Sequence, residues 1–278
     1  MALRSLALCS LVLFSCRPAG AQTDTASGIS GGETVVGTVA GDAESVAWLA
    51  GRVFSAPLRW DMKDAAAGCG VLIVTGASSL LDTRILSAAD RNRKAAYDRI
   101  DDVFTQYGDG LTIAAASAAG YGAGLLLHEP WLRETTLLAG TATLFSGAVS
   151  TIVKVSVGRA RPYTGLSNHT FRHFTSNEDY LSFPSGHSVV AFSVSTVLSE
   201  RIGNPWATAA LYTAATLTAA SRIYSRDHWF SDTVFGGIVS SAIAHTVVQE
   251  YEARASRCES SRLEIVPGPA SMTVLWRW

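Results

Sequence analysis

The chain has 278 residues, of which 48% are hydrophobic and 16% are charged, and its formal net charge at pH 7 is -1. This balance argues against nucleic acid as a partner, because binding to a phosphate backbone needs a surplus of lysine and arginine on one face. The mean hydropathy of +0.22 suits either a helical membrane protein or an apolar soluble bundle. Nothing in the composition separates two comparable halves, so we predict one domain, residues 44–250, with a tail on each side.

Residues 1–21 have the pattern of a secretory signal sequence. Arg4 precedes an apolar stretch at residues 6–14, and residues 19–21 form an A-x-A cleavage motif. The alternatives are an uncleaved anchor helix and lipoprotein processing at Cys16. All three place the protein in the cell envelope, which is the location that we predict.

A lead-in, a short helix and six apolar segments follow. Residues 22–43 are small, polar and rich in glycine, which predicts a flexible lead-in, and residues 44–58 are compatible with a short amphipathic helix. Gly120 and Gly124 form a small-xxx-small pair that allows two helix backbones to approach closely. Each apolar segment is near the length that crosses the hydrocarbon core of a bilayer, although a soluble bundle would explain them almost as well. The segments lie at about 65–81, 110–127, 134–153, 188–200, 206–221 and 232–248.

Two further features complete the predicted fold. Between the first two apolar segments, large apolar residues recur at spacings of three and four, which is the stripe of an amphipathic helix: Tyr97, Ile100, Phe104 and Tyr107. Within the tail, residues 251–278, two short strand-like runs flank a Pro-Gly turn and predict a hairpin. We therefore predict an all-α six-helix bundle, with embedding in the membrane favoured, followed by a short C-terminal β-hairpin.

Polar residues interrupt the apolar pattern at three places. The first follows the third apolar segment, the second opens the fourth, and the third separates the fifth from the sixth. In an up-and-down bundle these places fall at the same end, so the sequence predicts that they form one pocket. The residues concerned are Lys154, Arg161, Ser185, Gly186, His187, Arg222, His228 and Asp232.

The chemistry of these residues suits a phosphate group. Lys154, Arg161 and Arg222 supply three cations, and arginine is suited to bidentate contact with a tetrahedral oxyanion. Ser185 and Gly186 lie at a helix start, where free backbone N–H groups and the positive end of the helix dipole favour an anion. The pocket is therefore predicted to bind a phosphorylated ligand.

Two histidines and a carboxylate add a catalytic possibility. One imidazole can attack phosphorus while the other protonates the leaving oxygen. Asp232 follows His228 by four residues, one helical turn, and can hold that imidazole in the tautomer whose other nitrogen is free to attack. The sequence has no CxxC or Cys/His cluster, so we predict no structural zinc site.

Three stretches carry a resemblance to a known family. "KVSVGRARP" (154–162), "PSGH" (184–187) and "SRIYSRDHWFSD" (221–232) resemble the signature KxxxxxxRP, PSGH, SRxxxxxHxxxD of the type 2 phosphatidic acid phosphatase superfamily. That superfamily includes bacterial acid phosphatases and vanadium haloperoxidases. Every signature position matches, and the helical pattern extends the resemblance over roughly residues 60–250.

The resemblance implies a role for each residue of the pocket. His228 would be the nucleophile that forms a phosphohistidine, Asp232 would orient it, and His187 would be the acid for the leaving alcohol and then the base for water. No metal and no other cofactor would be required. The phosphoryl oxygens would be held by Lys154, Arg161, Ser185, Gly186 and Arg222.

The expected activity is hydrolysis of a phosphomonoester or pyrophosphate, with a lipid phosphate and an integral membrane enzyme favoured. The alternatives are a soluble periplasmic acid phosphatase of the same superfamily, a vanadium-dependent haloperoxidase, and a non-catalytic membrane protein that binds a phosphorylated ligand. Phosphatidate, phosphatidylglycerol phosphate, polyprenyl pyrophosphate, lipid A phosphate and a soluble ester are all compatible substrates.

Overall fold

The structure, a computed structural model, describes residues 34–93, 101, 103–260, 263–267 and 272–276, and these residues are mostly helical. Residues 103–107 are helical too, and short 3-10 turns lie at Ala56–Arg59, Pro162–Thr164 and Glu178–Tyr180. The longer helices in chain order are α1 (Val35–Phe54), α2 (Met62–Ser79), α3 (Asp82–Arg91), α4 (Gly110–Leu126), α5 (Pro130–Val157), α6 (Gly186–Ile202), α7 (Pro205–Tyr224) and α8 (Phe230–Ser260).

The prediction of a mostly helical domain is confirmed, and each of the six apolar segments overlaps one of the helices α2 and α4 to α8, two of the segments running one or two residues past the helix end. The number six is not confirmed, since α1 and α3 are present as well. The predicted amphipathic stripe is only partly described, because Tyr97 and Ile100 lie outside the described residues. Its last member, Tyr107, packs on α6, where its hydroxyl is 2.8 Å from the hydroxyl of Ser195.

Helix α1 begins earlier than the sequence suggested. It starts at Val35, inside the segment 22–43 that we predicted as a flexible lead-in. The hydroxyl of Thr34 accepts a hydrogen bond from the N–H of Gly37 at 3.2 Å, so Thr34 acts as the N-cap of α1. The prediction of a flexible segment rested on its glycine content and did not take this cap into account. Residues 1–33, with the predicted signal sequence, lie outside the described residues.

The apolar core lies where α1, α5, α6 and α8 meet. Leu49, Leu138, Val197 and Val247 are at most 1% exposed and come from these four helices in turn. Removing each such side chain from water contributes about 1.5–3 kcal/mol. The core therefore ties together the helices whose ends carry the three predicted motifs.

Helices α4 and α5 pack with their backbones close together. A Cβ atom added at Gly120 would lie 2.5 Å from Thr136 Cγ2, and one added at Gly124 would lie 2.6 Å from the backbone nitrogen of Arg133. The prediction that this small-xxx-small pair allows close approach is confirmed. Gly122 on the same helix faces open space.

Helix α5 is, within the described ranges, the one helix long and apolar enough to cross a bilayer by length and composition. Helices α2 and α3 would count as a second span only as a pair, which is bent by 49°. The remaining predicted spans do not meet this test. Large apolar side chains are nevertheless exposed on α2, α4 and α5: Leu72, Ile73, Leu111, Leu126, Leu144 and Ile152.

Two strands, β1 (Leu263–Pro267) and β2 (Met272–Trp276), pair in antiparallel fashion. Leu263 lies opposite Trp276, and Pro267 lies opposite Met272. The residues that join the strands, 268–271, lie outside the described residues, so the C-terminal hairpin stays a prediction.

The close contact of α4 and α5 leads to a stability prediction. Gly124→Ala should destabilise the protein by about 1–3 kcal/mol, because the added methyl group overlaps backbone atoms that cannot move without separating the helices. Gly122→Ala is the matched control and should not destabilise, since its methyl group meets no atom within 4 Å. The midpoint of thermal unfolding in detergent measures both; equal midpoints would contradict the packing argument.

Candidate active site

The chain turns sharply after α5, and this turn positions the first motif. Gly158 has a φ of +61°, and a Cβ atom there would overlap the carbonyl oxygen of Arg172. Glycine is therefore required, both for the left-handed conformation and for the close approach of the returning chain. The N–H of Arg172 donates to the Gly158 carbonyl oxygen at 2.6 Å and closes this turn.

His228 lies between α7 and α8 and is 3% exposed. Its Nδ1 atom is 2.6 Å from the backbone carbonyl oxygen of Ser182. Since a carbonyl oxygen can only accept, Nδ1 carries the proton and donates it. The Nε2 atom of the neutral imidazole therefore keeps its lone pair, as a nucleophile requires.

The structure corrects the predicted contact between Asp232 and His228. The Asp232 Oδ2 atom is 3.9 Å from His228 Nδ1, which is too far for a hydrogen bond. Instead, Oδ2 accepts hydrogen bonds from the hydroxyl of Ser182 at 2.5 Å and from the N–H of Trp229 at 2.8 Å. Asp232 thus holds Ser182, and Ser182 holds the imidazole.

Ser185 uses its backbone N–H within the fold, while the proton of its hydroxyl is left for a ligand and its predicted contact with phosphate stays a prediction. Its N–H donates to the Asp232 carbonyl oxygen at 3.1 Å, so it is not available to an anion. Its hydroxyl accepts from the N–H of Ser188 at 3.4 Å and acts as the N-cap of α6. The N–H groups of Gly186 and His187 then remain as first-turn donors without an intrahelical acceptor, the usual anion-binding groups of a helix start.

Arg161 and Arg222 converge on one anionic group. Arg161 Nη1 is 3.7 Å from one oxygen of the Asp227 carboxylate, and Arg222 Nη1 is 3.4 Å from the other. Arg222 is 6% exposed and is also held by Asp101, at 3.2 Å, and by the Thr105 hydroxyl. The two arginines therefore come close enough to hold two oxygens of a single anion.

Lys154 contacts the segment that leads into α6. Its Nζ atom donates to the carbonyl oxygens of Leu181 and Pro184 at 2.9 and 2.7 Å. The positive charges of Lys154 and Arg161 both lower the pKa of His228. The cations of the first motif thus lie close to the histidine of the third.

The pKa values of both histidines lie below the ordinary value. Burial lowers the pKa of His228 well below 6.5, and the charges of Lys154 and Arg161 lower it further. For His187, burial is again the largest cause and Arg222 the next, while Asp109 and Asp227 oppose the shift. Both imidazoles are therefore neutral in the free site at neutral pH.

Several residues near the site were missed by the sequence analysis. Arg159 is 4% exposed and bridges Asp232 and Asp82, a carboxylate at the start of α3. Asp101, Thr105 and Gly108, which precede α4, contact Arg222 or approach His187. Of these, Arg159 was visible as the first arginine of "GRARP"; the others lie far from the motifs and give no spacing signal.

Within the described part of the chain, no three His, Cys, Asp or Glu side chains lie close enough to hold a metal ion. The first and third motifs instead bring together lysine and arginine side chains around two histidines. This arrangement can bind a small oxyanion and offer it one nucleophilic nitrogen.

The lowered pKa of His228 leads to a prediction for pH dependence. At about pH 6 the imidazole should remain neutral in the folded protein, whereas a histidine of the unfolded chain, with a pKa of about 6.5, is mostly protonated. Below pH 6.5 the unfolded state therefore binds more protons at this histidine than the folded state. The contribution of His228 to the free energy of unfolding is for this reason independent of pH above about pH 6.5 and falls as the pH decreases below that value. A 15N titration of labelled histidines, assigned with His228→Gln, measures this; a His228 signal that titrates near 6.5 would contradict it.

Comparisons with known proteins agree with the motifs. A sequence model of the PAP2 superfamily matches residues 135–255. A lipid A 1-phosphatase of Porphyromonas gingivalis is 36% identical over 88 residues, which are 31% of this chain and only 17% of that protein. A lipid A 1-phosphatase of Rhizobium etli is 25% identical over 201 residues, which are 65% of this chain and 80% of that protein.

The fold has a counterpart among solved structures. The first transmembrane PAP2 type phosphatidylglycerolphosphate phosphatase from Bacillus subtilis superposes with a TM-score of 0.50 at 19% identity, over 68% of this chain and 96% of that one. The match at residues 135–255 contains all three signature stretches, and the structure brings their side chains together. Residues 135–255, which carry all three signature stretches, therefore match the type 2 phosphatidic acid phosphatase (PAP2) superfamily.

Proposed function

We propose that the protein is a phosphatase that hydrolyses a phosphate ester on a lipid through a covalent phosphohistidine at His228. The observation that carries this proposal is the buried, neutral imidazole of His228, whose Nδ1 proton is fixed by the Ser182 carbonyl at 2.6 Å. This tautomer leaves the lone pair on Nε2 of an imidazole on which the charges of Lys154 and Arg161 act.

Substrate binding exchanges one anion for another. The phosphoryl oxygens take the place of the Asp227 carboxylate between Arg161 and Arg222, and Lys154 and the start of α6 hold the remaining charge. The incoming dianion adds negative charge beside His187. It therefore raises the pKa of that imidazole and favours the protonated form that the first chemical step needs.

In the first step, Nε2 of His228 forms a bond to phosphorus while the bond from phosphorus to the ester oxygen breaks. Protonated His187 donates its proton to this oxygen, so that an alcohol leaves. In the second step, neutral His187 removes a proton from water, and the water oxygen attacks phosphorus and breaks the P–N bond. The products are inorganic phosphate, the alcohol and the original enzyme.

The cations supply the electrostatic stabilisation that the transition state needs. Charge spreads over the three equatorial oxygens of the transferred group, and fixed positive groups in a site screened from water stabilise it strongly. Lys154, Arg161 and Arg222 have this role in the proposal. We therefore propose a reaction without a metal or other cofactor.

A lipid is the substrate class that we propose. Both curated relatives are named lipid A 1-phosphatases, which makes a lipid A 1-phosphate the first substrate to test. The exposed apolar side chains of α2, α4 and α5, with the spanning length of α5, support contact with acyl chains in the envelope membrane. A soluble acid phosphatase would gain nothing from such a surface.

The central prediction concerns His228. Wild-type protein in detergent with EDTA should release phosphate from a lipid phosphate faster than from a soluble aryl phosphate, and His228→Ala should lower kcat at least about 1,000-fold because the nucleophile is lost. His245→Ala removes an exposed histidine near the other end of α6, where it pairs with Glu200, and should leave the rate unchanged.

Four outcomes would contradict the proposal in different ways. Loss of activity with EDTA, restored by a metal, would remove the metal-free mechanism. Preference for the aryl phosphate would favour the soluble acid phosphatase. Halide oxidation with added vanadate and peroxide, without phosphatase activity, would favour the haloperoxidase, and no turnover of any kind would favour the non-catalytic binding protein.

A second prediction tests the position of the acid. A Cβ atom at Gly108 would lie 2.9 Å from His187 Cβ and 2.8 Å from the His187 carbonyl oxygen. Gly108→Ala should therefore displace His187 and lower kcat about tenfold or more, since small misplacements of catalytic groups are costly. Gly110→Ala, whose methyl group would meet only Val190 Cγ2 at 3.8 Å, is the control. Equal kcat values for both variants would contradict the proposed role of His187.

A further inference from the structure

A buried cluster of charges lies behind His228. Arg159 is 4% exposed, and Asp82 and Asp232 beside it are completely buried. Arg159 Nη2 is 2.6 Å from Asp82 Oδ2, and Arg159 Nη1 is 2.5 Å from Asp232 Oδ1. One guanidinium therefore bridges two carboxylates from different helices, α3 and α8.

Asp82 is also joined directly to the start of α8. Its Oδ1 atom accepts from the N–H of Ser231 at 2.9 Å, and its Oδ2 atom accepts from the Ser231 hydroxyl at 2.9 Å. A carboxylate at a helix start satisfies a free N–H and interacts favourably with the helix dipole. Asp82 thus fixes the first turn of the helix that carries Asp232 and that follows His228 by two residues.

The cluster reaches His228 through Ser182. The N–H of Ser182 donates to the Arg159 carbonyl oxygen at 3.0 Å, and its hydroxyl donates to Asp232 Oδ2 at 2.5 Å. The Ser182 carbonyl oxygen then accepts the Nδ1 proton of His228. The residue that sets the tautomer is therefore itself held at two points by members of the cluster.

We propose that Asp82 and Arg159 are positioning residues for His228. Together they fix Ser182 and Asp232 so that the imidazole keeps its proton on Nδ1 and its lone pair on Nε2. This inference rests on the proposed function of His228 as the nucleophile. Neither residue is a signature position, and Asp82 lies outside the family match at residues 135–255.

Arginine is suited to this position where lysine is not. The planar guanidinium donates from Nη1 to Asp232 and from Nη2 to Asp82, while Nε donates to the Asn168 carbonyl oxygen at 2.8 Å. A lysine ammonium carries the same charge but is a single point, so it cannot hold two carboxylates in this fixed geometry. A charge-conserving change therefore separates the geometry of the bridge from its charge.

The cluster could instead serve the fold alone by joining α3 to α8. If the cluster has only a structural role, its mutation lowers the stability of the protein and leaves the chemistry of the folded molecules unchanged. If the cluster positions His228, its mutation also changes the tautomer of His228 and kcat. Mutation of the cluster should leave the affinity for phosphate nearly unchanged, because Lys154, Arg161 and Arg222 are held by other partners.

The test compares Asp82→Asn and Arg159→Lys with Glu250→Gln in the full chain, purified in detergent. Glu250 Oε1 is 2.5 Å from Arg52 Nη2, so the control loses one carboxylate from another interhelical ion pair. For each protein we would measure the midpoint of thermal unfolding, kcat and KM on the lipid phosphate, inhibition by inorganic phosphate, and the 15N shifts of the His228 imidazole.

We expect Asp82→Asn and Arg159→Lys to lower kcat on the order of tenfold to a hundredfold, the size seen when partners that orient a functional histidine are removed. KM and the inhibition constant of phosphate should change less than about threefold. The 15N shifts should move from one Nδ1-protonated tautomer toward a mixture. Glu250→Gln should change the unfolding midpoint alone.

Unchanged kcat and 15N shifts in folded Asp82→Asn and Arg159→Lys would overturn the inference and leave the cluster a structural tie. If the wild-type protein releases no phosphate, the proposed function fails. The 15N shifts still test the inference in that case, because the tautomer of His228 is observed without turnover.

Discussion

The hydrogen bond from His228 Nδ1 to the Ser182 carbonyl oxygen is the interaction on which the site depends. A histidine nucleophile must be neutral, and its reactive nitrogen must be the one without the proton. Burial and the neighbouring cations make the imidazole neutral, and the carbonyl decides which nitrogen keeps the proton. In the proposed mechanism the cations that disfavour a protonated imidazole also attract the phosphate group, so one set of charges meets both requirements.

The charges of this arrangement are buried, and groups on or next to the helices compensate them. Asp232 is compensated by Arg159, by the Ser182 hydroxyl and by the N–H of Trp229, so no oxygen of this buried carboxylate lacks a donor. The same bonds connect α3, the turn after α5 and the start of α8. Catalytic geometry and the connection between these helices therefore rest on the same contacts.

Much of this could be predicted from sequence, because local patterns carry it. Apolar length marked helices α2 and α4 to α8, and the motif spacings predicted that both histidines and the cations meet at one end of the bundle. The contact of Asp232 with His228 was misjudged for a geometric reason: four-residue spacing places side chains together only within one helix, and α8 begins at Phe230, after His228. Asp82 could not be found this way, since it meets Arg159 across 77 positions of the chain.

Asp227 supplies a negative charge to two of the three cations of the site. Its carboxylate oxygens lie 3.7 Å from Arg161 Nη1 and 3.4 Å from Arg222 Nη1. In the proposed reaction a phosphoryl group displaces this carboxylate, so the net gain on binding is the difference between two anion contacts, and the expected affinity for phosphate is lower than three bare cations would give. That difference favours release of inorganic phosphate, since Asp227 returns to the arginines as the product leaves. A dianion bound more tightly would slow each turnover at its last step.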